Sequence, residues 1–164
     1  MLGQMTAEHA EKRTGLWTRF RTLTKETGEL NKDIEFLTED YVSMSRIAAN
    51  LSSHTKWIPY SFLQNRIRKL ADEVRTQSEA LRSKISELGG RVPQVPVENR
   101  EILEFKQNIK RLVRDMEDHA NQSEVFVHHK NKIRDESIVK LIDMIIKQMQ
   151  LQKNELMDIV MRLS

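Results

Sequence analysis

Residues 135–163, DESIVKLIDMIIKQMQLQKNELMDIVMRL, carry the most regular hydrophobic pattern of the chain. An apolar or amide side chain recurs every three or four positions, in the order Ile138, Ile142, Ile145, Met149, Gln152, Leu156, Ile159 and Leu163. This spacing places all of them on one side of an α-helix. Asp135 comes just before the pattern and is a residue type that caps helix N-termini. The stretch therefore predicts a long helix with one buried side.

Three earlier stretches have the same spacing and predict three more helices. The first carries Leu30, Ile34, Leu37, Tyr41, Met44, Ala48 and Leu51. The second carries Leu63, Ile67, Leu70, Val74, Gln77, Leu81, Ile85 and Leu88. The third carries Ile102, Phe105, Ile109, Leu112, Met116, His119, Ser123 and Phe126. Trp57-Ile58-Pro59 indicates a turn between the first two helices, and Gly89-Gly90 indicates the end of the second.

Together these helices predict an all-α fold, with a four-helix bundle in residues 29–164 and a long crossover at about residues 89–97. Residues 1–28 form a further unit, which we expect to be an additional N-terminal helix. A single helix from Thr6 to His54 would be about 73 Å long and would far exceed its partners. We therefore expect a break near Thr27-Gly28.

Composition narrows the functional classes. The 164 residues include no cysteine, which excludes disulfides, thiolate metal sites and cysteine nucleophiles. The sequence shows no apolar run of membrane-spanning length and no N-terminal leader, so we expect a cytoplasmic protein without a membrane partner. The 27 basic and 24 acidic residues are interleaved, as around Arg66, Lys69 and Arg75. This pattern is typical of a solvated helix surface and supports nucleic-acid binding only weakly.

We call the row of residues that is predicted to be buried on each helix the seam of that helix. One spacing occurs twice within these seams. Tyr41 lies 33 residues before Val74, and Met116 lies 33 residues before Met149. A glutamine follows each second member by three residues, at Gln77 and Gln152. Since both glutamines fall on apolar seams, we expect them to be buried and to hydrogen-bond across the core, with the Tyr41 hydroxyl bonding to one of them.

The helix order, this spacing and the segment Leu88-Gly89-Gly90-Arg91-Val92-Pro93 resemble the ferritin-like family, and bacterioferritins and rubrerythrin-like proteins in particular. The resemblance implies a di-iron site built from Glu, Glu-x-x-His, Glu and Glu-x-x-His. The six corresponding positions here are Tyr41, Val74, Gln77, Met116, Met149 and Gln152. None is a carboxylate or an imidazole, so the resemblance implies a degenerate, metal-free member without cofactor or catalytic residues.

A shift of one residue in the helix register would change this conclusion. Carboxylates lie at or near the seams, and the alternative site consists of Asp40, Glu73, Glu117 and Glu155. Accepting it would turn apolar residues outward on several helices, which argues against it. His119 fits a packed histidine on the third seam, and His128-His129 fits a solvated turn.

Three functional hypotheses follow. The first is a non-enzymatic structural or protein-interaction module, expected to form a homo-oligomer through its first two helices and through the N-terminal segment containing Leu16, Trp17 and Phe20. The second is a diverged metal-binding protein of iron storage or oxidative-stress defence. The third is a stress protein that binds nucleic acid or the ribosome.

Overall fold

The computed structural model describes residues 5–96 and 105–164, with the side chains of 5–18, 20, 24 and 105–108 left out. The described residues are folded into four α-helices and contain no strand: α1 Met5–His54, α2 Ser61–Glu87, α3 Phe105–Lys130 and α4 Glu136–Leu163. A 3₁₀ turn, Thr55–Trp57, follows α1. The all-α prediction is confirmed. Among the described helices, none combines the length and the apolar character needed to cross a membrane.

α1 is one continuous helix of 50 residues, or about 75 Å at 1.5 Å per residue. The expected break at Thr27-Gly28 is therefore wrong, and the N-terminal segment is an extension of α1 rather than a separate helix. A glycine inside a helix costs only about 1 kcal/mol relative to alanine. The neighbouring Lys25 and Glu26 favour the helix, and the Thr27 hydroxyl bonds back to the Leu23 carbonyl at 2.8 Å.

Residues 5–28 of α1 are called the arm from here on. Every side chain described between Arg19 and Gly28 is exposed. The bundle begins at the next turns of α1, where Glu29 pairs with Arg134 at 3.3 Å and Ile34 approaches Gly90. At 24 residues, the arm extends about 36 Å beyond this point.

The predicted glycine stop of α2 is confirmed. Gly89 has a φ of 80°, in the left-handed region that favours glycine. Its N–H donates to Ser86 and the N–H of Gly90 donates to Ile85, which is the hydrogen-bond pattern of a Schellman cap. A Cβ on Gly90 would lie 2.7 Å from a methyl group of Ile34 on α1. The absence of a side chain at Gly90 therefore lets the end of α2 approach α1 closely.

Side-chain pairs define the helix directions. They are Arg66 with Asp158, Gln77 with Gln148, His54 with Asp115, and Asp40 with His129. Residue numbers rise along one helix as they fall along its partner, so α2 is antiparallel to α4 and α1 is antiparallel to α3. Since α1 and α2 also form a hairpin, α2 and α3 run in the same direction. Residues 97–104 between them lie outside the described residues, so the crossover stays a prediction.

The burial of side chains confirms the predicted seams of α2 and α4. All eight predicted seam residues of α4 are buried, and on α2 all are buried except Leu88, which is partly exposed. Asp135 caps α4 as expected, accepting from Ser137 N at 2.8 Å and from Ile138 N at 3.1 Å. A hydrogen bond from the Ser137 side chain is the largest cause that lowers the pKa of Asp135 below its ordinary value, and the two backbone hydrogen bonds lower it further.

Candidate functional site

Among the described side chains, most of the buried polar groups lie on the inner sides of α1 and α3. These include Asp40, His54, Asp115, His119, Gln122 and His129. A polar group removed from water is costly unless it finds a hydrogen-bond partner. The partners of these side chains therefore show what the interior is built to do.

Asp40 is fully buried where α1 meets the end of α3. Gln122 donates its Nε2 to Asp40 Oδ1 at 2.9 Å, and His129 Nδ1 lies 3.0 Å from both carboxylate oxygens. The His129 ring stacks on Phe36 at a centroid distance of 4.5 Å. Burial raises the pKa of Asp40 to about 6, against the opposing effect of the His129 and Gln122 hydrogen bonds.

A second contact ties α1 to α3 at the other end of the bundle. His54 Nδ1 hydrogen-bonds to Asp115 Oδ2, and both side chains are almost entirely buried. Along α1, His54 lies 14 residues beyond Asp40, or about 21 Å. Two carboxylate–histidine pairs therefore fix the position of α1 along α3.

A third polar contact crosses from α3 through α4 to α2. His119 Nε2 lies 2.9 Å from Gln152 Oε1, and Gln152 donates its Nε2 to Glu73 at 3.3 Å. Burial is the main cause that lowers the pKa of His119, with the Gln152 hydrogen bond and the Asp115 charge acting in the opposite direction. Burial therefore favours the neutral form of the ring. One turn away, Gln77 donates to Gln148 at 2.9 Å.

The expectation that Gln77 and Gln152 are buried is confirmed, but their partners differ from those expected. Gln77 bonds to Gln148, and Gln152 bonds to His119 and Glu73. Neither amide bonds to the other or to Tyr41. These buried polar side chains thus join three helices through contacts that the spacing of the sequence does not predict.

The resemblance relates six positions of this chain to the ligands of a di-iron site. Four of them lie in the core: Val74, Gln77, Met149 and Gln152. Tyr41 and Met116 are only partly buried at its margin, so their placement at the centre of the α1 and α3 seams needs correction. Asp40 and Asp115, one residue before each of them, face inward instead. The reason is that both aspartates find buried partners, which removes the cost that made the purely apolar register seem preferable.

The alternative carboxylate site is dispersed. Asp40 bonds to Gln122 and His129, Glu117 is exposed, and Glu155 pairs with Arg66 at 2.5 Å. The fourth member, Glu73, bonds to Gln152 near the surface. In the part of the chain that the structure describes, no group of three or more His, Asp or Glu side chains could hold a metal ion.

The basic residues considered for nucleic-acid binding lie next to acids. Arg66 bridges α2 to α4 through Glu155 and Asp158. Arg75 pairs with Asp72 at 2.7 Å, and Lys69 lies 4.0 Å from Glu73. Acidic neighbours therefore offset the positive charge on the exposed side of α2, and nucleic-acid binding remains a prediction.

Sequence reasoning did not identify His54, Asp115, Gln122 and His129 as a set, and the expected solvated turn at His128-His129 is wrong for His129, which is buried within α3. A usable signal was present, because Asp115, His119, Gln122, Phe126 and His129 also follow steps of three and four. Most residues of that alternative seam are polar, so a pattern of hydrophobic residues alone does not identify it. In comparisons with known proteins, no family model, curated protein or solved structure matches this chain.

Proposed function

We propose that this chain is a non-enzymatic structural or protein-interaction module, a metal-free ferritin-like bundle that contacts its partner through the arm. The observation that carries this proposal is the contrast between an exposed arm and an interior in which Asp40, Asp115, Gln77 and Gln152 each hydrogen-bond to another side chain. An interaction protein needs an accessible surface more than it needs a reactive centre.

The helix directions support the ferritin-like part of the proposal. Since α2 and α3 run in the same direction, the chain must return along the bundle between them. Residues 88–104 number 17 and can reach about 56 Å when extended, whereas α2, at 27 residues, is about 40 Å long. The connection is therefore long enough to act as the predicted crossover.

The interior supports the metal-free part. Di-iron sites need several carboxylates and imidazoles converging on one point. Here Asp40 and Asp115 each face a histidine, while Val74 and Met149 occupy positions where the family resemblance implies carboxylates. The resulting contacts hold helices together and leave these acidic groups committed to protein partners.

The arm supports the interaction part. Leu23 is 61% exposed and Leu30 is 37% exposed, although both continue the spacing that becomes the buried seam of α1. Most of the stability of a helix in a protein comes from packing its apolar side against a partner. The exposed leucines thus mark a surface suited to burial by another helix.

Site-specific photo-crosslinking tests this proposal in cells that produce the full chain. A benzophenone amino acid replaces Leu23 in one variant and Lys25 in a matched control. Lys25 is also exposed but points away from the leucine side. We expect covalent adducts from position 23 and few from position 25, because only the leucine side would contact a partner. Absent adducts, or equal yields at the two positions, would contradict the proposed role of the arm.

The metalloprotein hypothesis has a separate test. Protein prepared without chelator is loaded anaerobically with ferrous iron and analysed for metal after gel filtration. We expect no stoichiometric iron. Retained iron that disappears in Asp40→Ala or Glu73→Ala would overturn the metal-free part of the proposal and favour the shifted carboxylate site.

A further inference from the structure

The arm carries an apolar stripe and, beside it, a regular order of charges. This mostly apolar stripe follows Leu16, Phe20, Leu23 and Thr27 of the arm and continues into Leu30, Ile34 and Leu37 of the bundle. In heptad terms, these residues alternate between the two seam positions of a coiled coil. The stripe is therefore in register with the buried seam of the same helix but extends beyond the last bundle turn.

One flanking position of this heptad holds four charges in order. Lys12, Arg19, Glu26 and Asp33 follow one another at intervals of seven residues, each directly before a seam position. The first two are basic and the last two are acidic. Such an arrangement is self-complementary, because reversing the helix direction exchanges the basic half with the acidic half.

We infer that two copies of this chain associate through their arms as an antiparallel helix pair centred between Phe20 and Leu23. This inference rests on the proposed interaction role of the arm. In such a pair, Phe20 of each copy lies level with Leu23 of the other, and Leu16 lies level with Thr27. Flanking positions whose residue numbers sum to 45 then face each other. Arg19 therefore faces Glu26 of the second copy, and Lys12 faces Asp33.

A parallel pair does not gain these contacts. Its flanking charges would face the other flanking position of the heptad, which holds Trp17, Thr24 and Asn31. None of these is charged. Charge complementarity therefore favours the antiparallel arrangement of two identical arms.

The base of the arm provides an independent observation. Asp33 is nine-tenths buried there, beside Glu29 and Asp135. Burial is the main cause that raises its pKa, with Asp135 and Glu29 adding to the rise. Asp33 lines an open groove of about 630 Å³ between α1 and the α3–α4 turn, together with Lys132 and Arg134.

The groove lies where the antiparallel pair needs space. When Lys12 of the second copy faces Asp33, residues 5–11 of that copy run past residues 32–38 of α1, alongside the bundle. The groove, lined by Glu26, Leu30 and Phe36 among others, borders this path. Arg134 pairs with Glu29 there at 3.3 Å, and Lys12 of the second copy would bring a further cation close to Asp33.

Charge reversal in the full chain tests this inference. Sedimentation equilibrium is measured for the wild type, Arg19→Glu, Glu26→Arg, the double reversal and an equimolar mixture of the two single variants. Each single variant places like charges opposite each other twice. We expect the dimer dissociation constant to rise by about tenfold or more in each, because two attractive contacts become repulsive. Lys25→Glu, on the opposite side of the arm, serves as the matched control and should leave dimerisation unchanged.

The mixture is the decisive sample. An Arg19→Glu chain and a Glu26→Arg chain would attract each other at both contacts, so they should form a heterodimer although neither dimerises well alone. The double reversal should also restore the homodimer. Formation of the heterodimer shows that the two single variants are folded. A monomeric wild type, or a dimer indifferent to both reversals, overturns the inference. If Leu23 nevertheless crosslinks to a different protein, the interaction role stands and only self-association fails.

Discussion

The two halves of the bundle bury different chemistry. On α2 and α4, the interior is almost wholly apolar, with Gln77, Ser78 and Gln152 as the buried polar exceptions among the described side chains. On α1 and α3, buried aspartates, histidines and amides alternate with apolar residues. Apolar burial is non-directional and supplies free energy of folding, whereas a hydrogen-bonded pair is satisfied in only one arrangement. The difference suggests that α2 and α4 contribute mainly stability, and that α1 and α3 fix which residues face each other.

Removing one member of a buried pair should have the largest effect. In Asp115→Ala, His54 loses its carboxylate partner in the interior, and we expect the free energy of unfolding to fall by about 3–5 kcal/mol. Urea denaturation measures this. Replacing both residues by leucine should cost less than the sum of the two single changes, since neither member of the pair is then left in the interior without the other. Strict additivity in this double-mutant cycle would mean that the pair is not coupled.

A change in the apolar half should come next. Leu156 is fully buried on α4, and Leu156→Ala should lower the free energy of unfolding by about 2–5 kcal/mol through lost burial and a cavity. Leu151, on the same helix, is 70% exposed. Leu151→Ala should change stability by about 0.5 kcal/mol or less. Similar losses from the two variants would show that the assigned inner side of α4 is wrong.

The smallest effect concerns the pH dependence contributed by Asp40. Its pKa of about 6 in the folded state exceeds the ordinary value of 3.8, so the folded protein binds this proton more tightly. The stabilisation is therefore complete below pH 3.8 and is lost as the pH rises through about 6. We expect the wild type to gain stability relative to Asp40→Asn as the pH falls from 7 to 4, by up to about 1.4 kcal/mol per pH unit.

Urea titrations at several pH values measure this difference. Asp72→Asn, at an exposed position on α2, is the matched control and should show no such gain. Equal pH profiles for the wild type and Asp40→Asn would mean that Asp40 titrates in the folded protein as it does in water.

Sequence reasoning succeeded where hydrophobicity alone determines the structure. On α4 the inner side from Ile138 to Leu163 contains one polar residue, so periodicity identified it completely. The Gly89 stop and the Asp135 cap were also predictable, since each depends on local chemistry. These features need no knowledge of the other helices.

The inner sides of α1 and α3 could not be predicted in the same way. Whether Asp40 or Tyr41 faces the core depends on His129, which lies 89 residues away. A buried charged side chain is favourable only when its hydrogen-bond partner is buried beside it. The sequence of one helix shows the charge but not the partner, so burial of that charge looks unfavourable. The continuity of α1 was missed for the opposite reason, because one glycine was given more weight than the helix-forming residues around it.

Because α1 is one continuous helix, a movement of its bundle part also moves the arm. The bundle holds the part of the helix that contains Asp40 and His54, while the arm extends it by about 36 Å. A tilt of α1 by roughly 10° would move the tip of the arm by about 6 Å. Small rearrangements at the buried carboxylate–histidine pairs would thus be amplified at a distance, and whatever holds the tip could in turn apply torque to the interior.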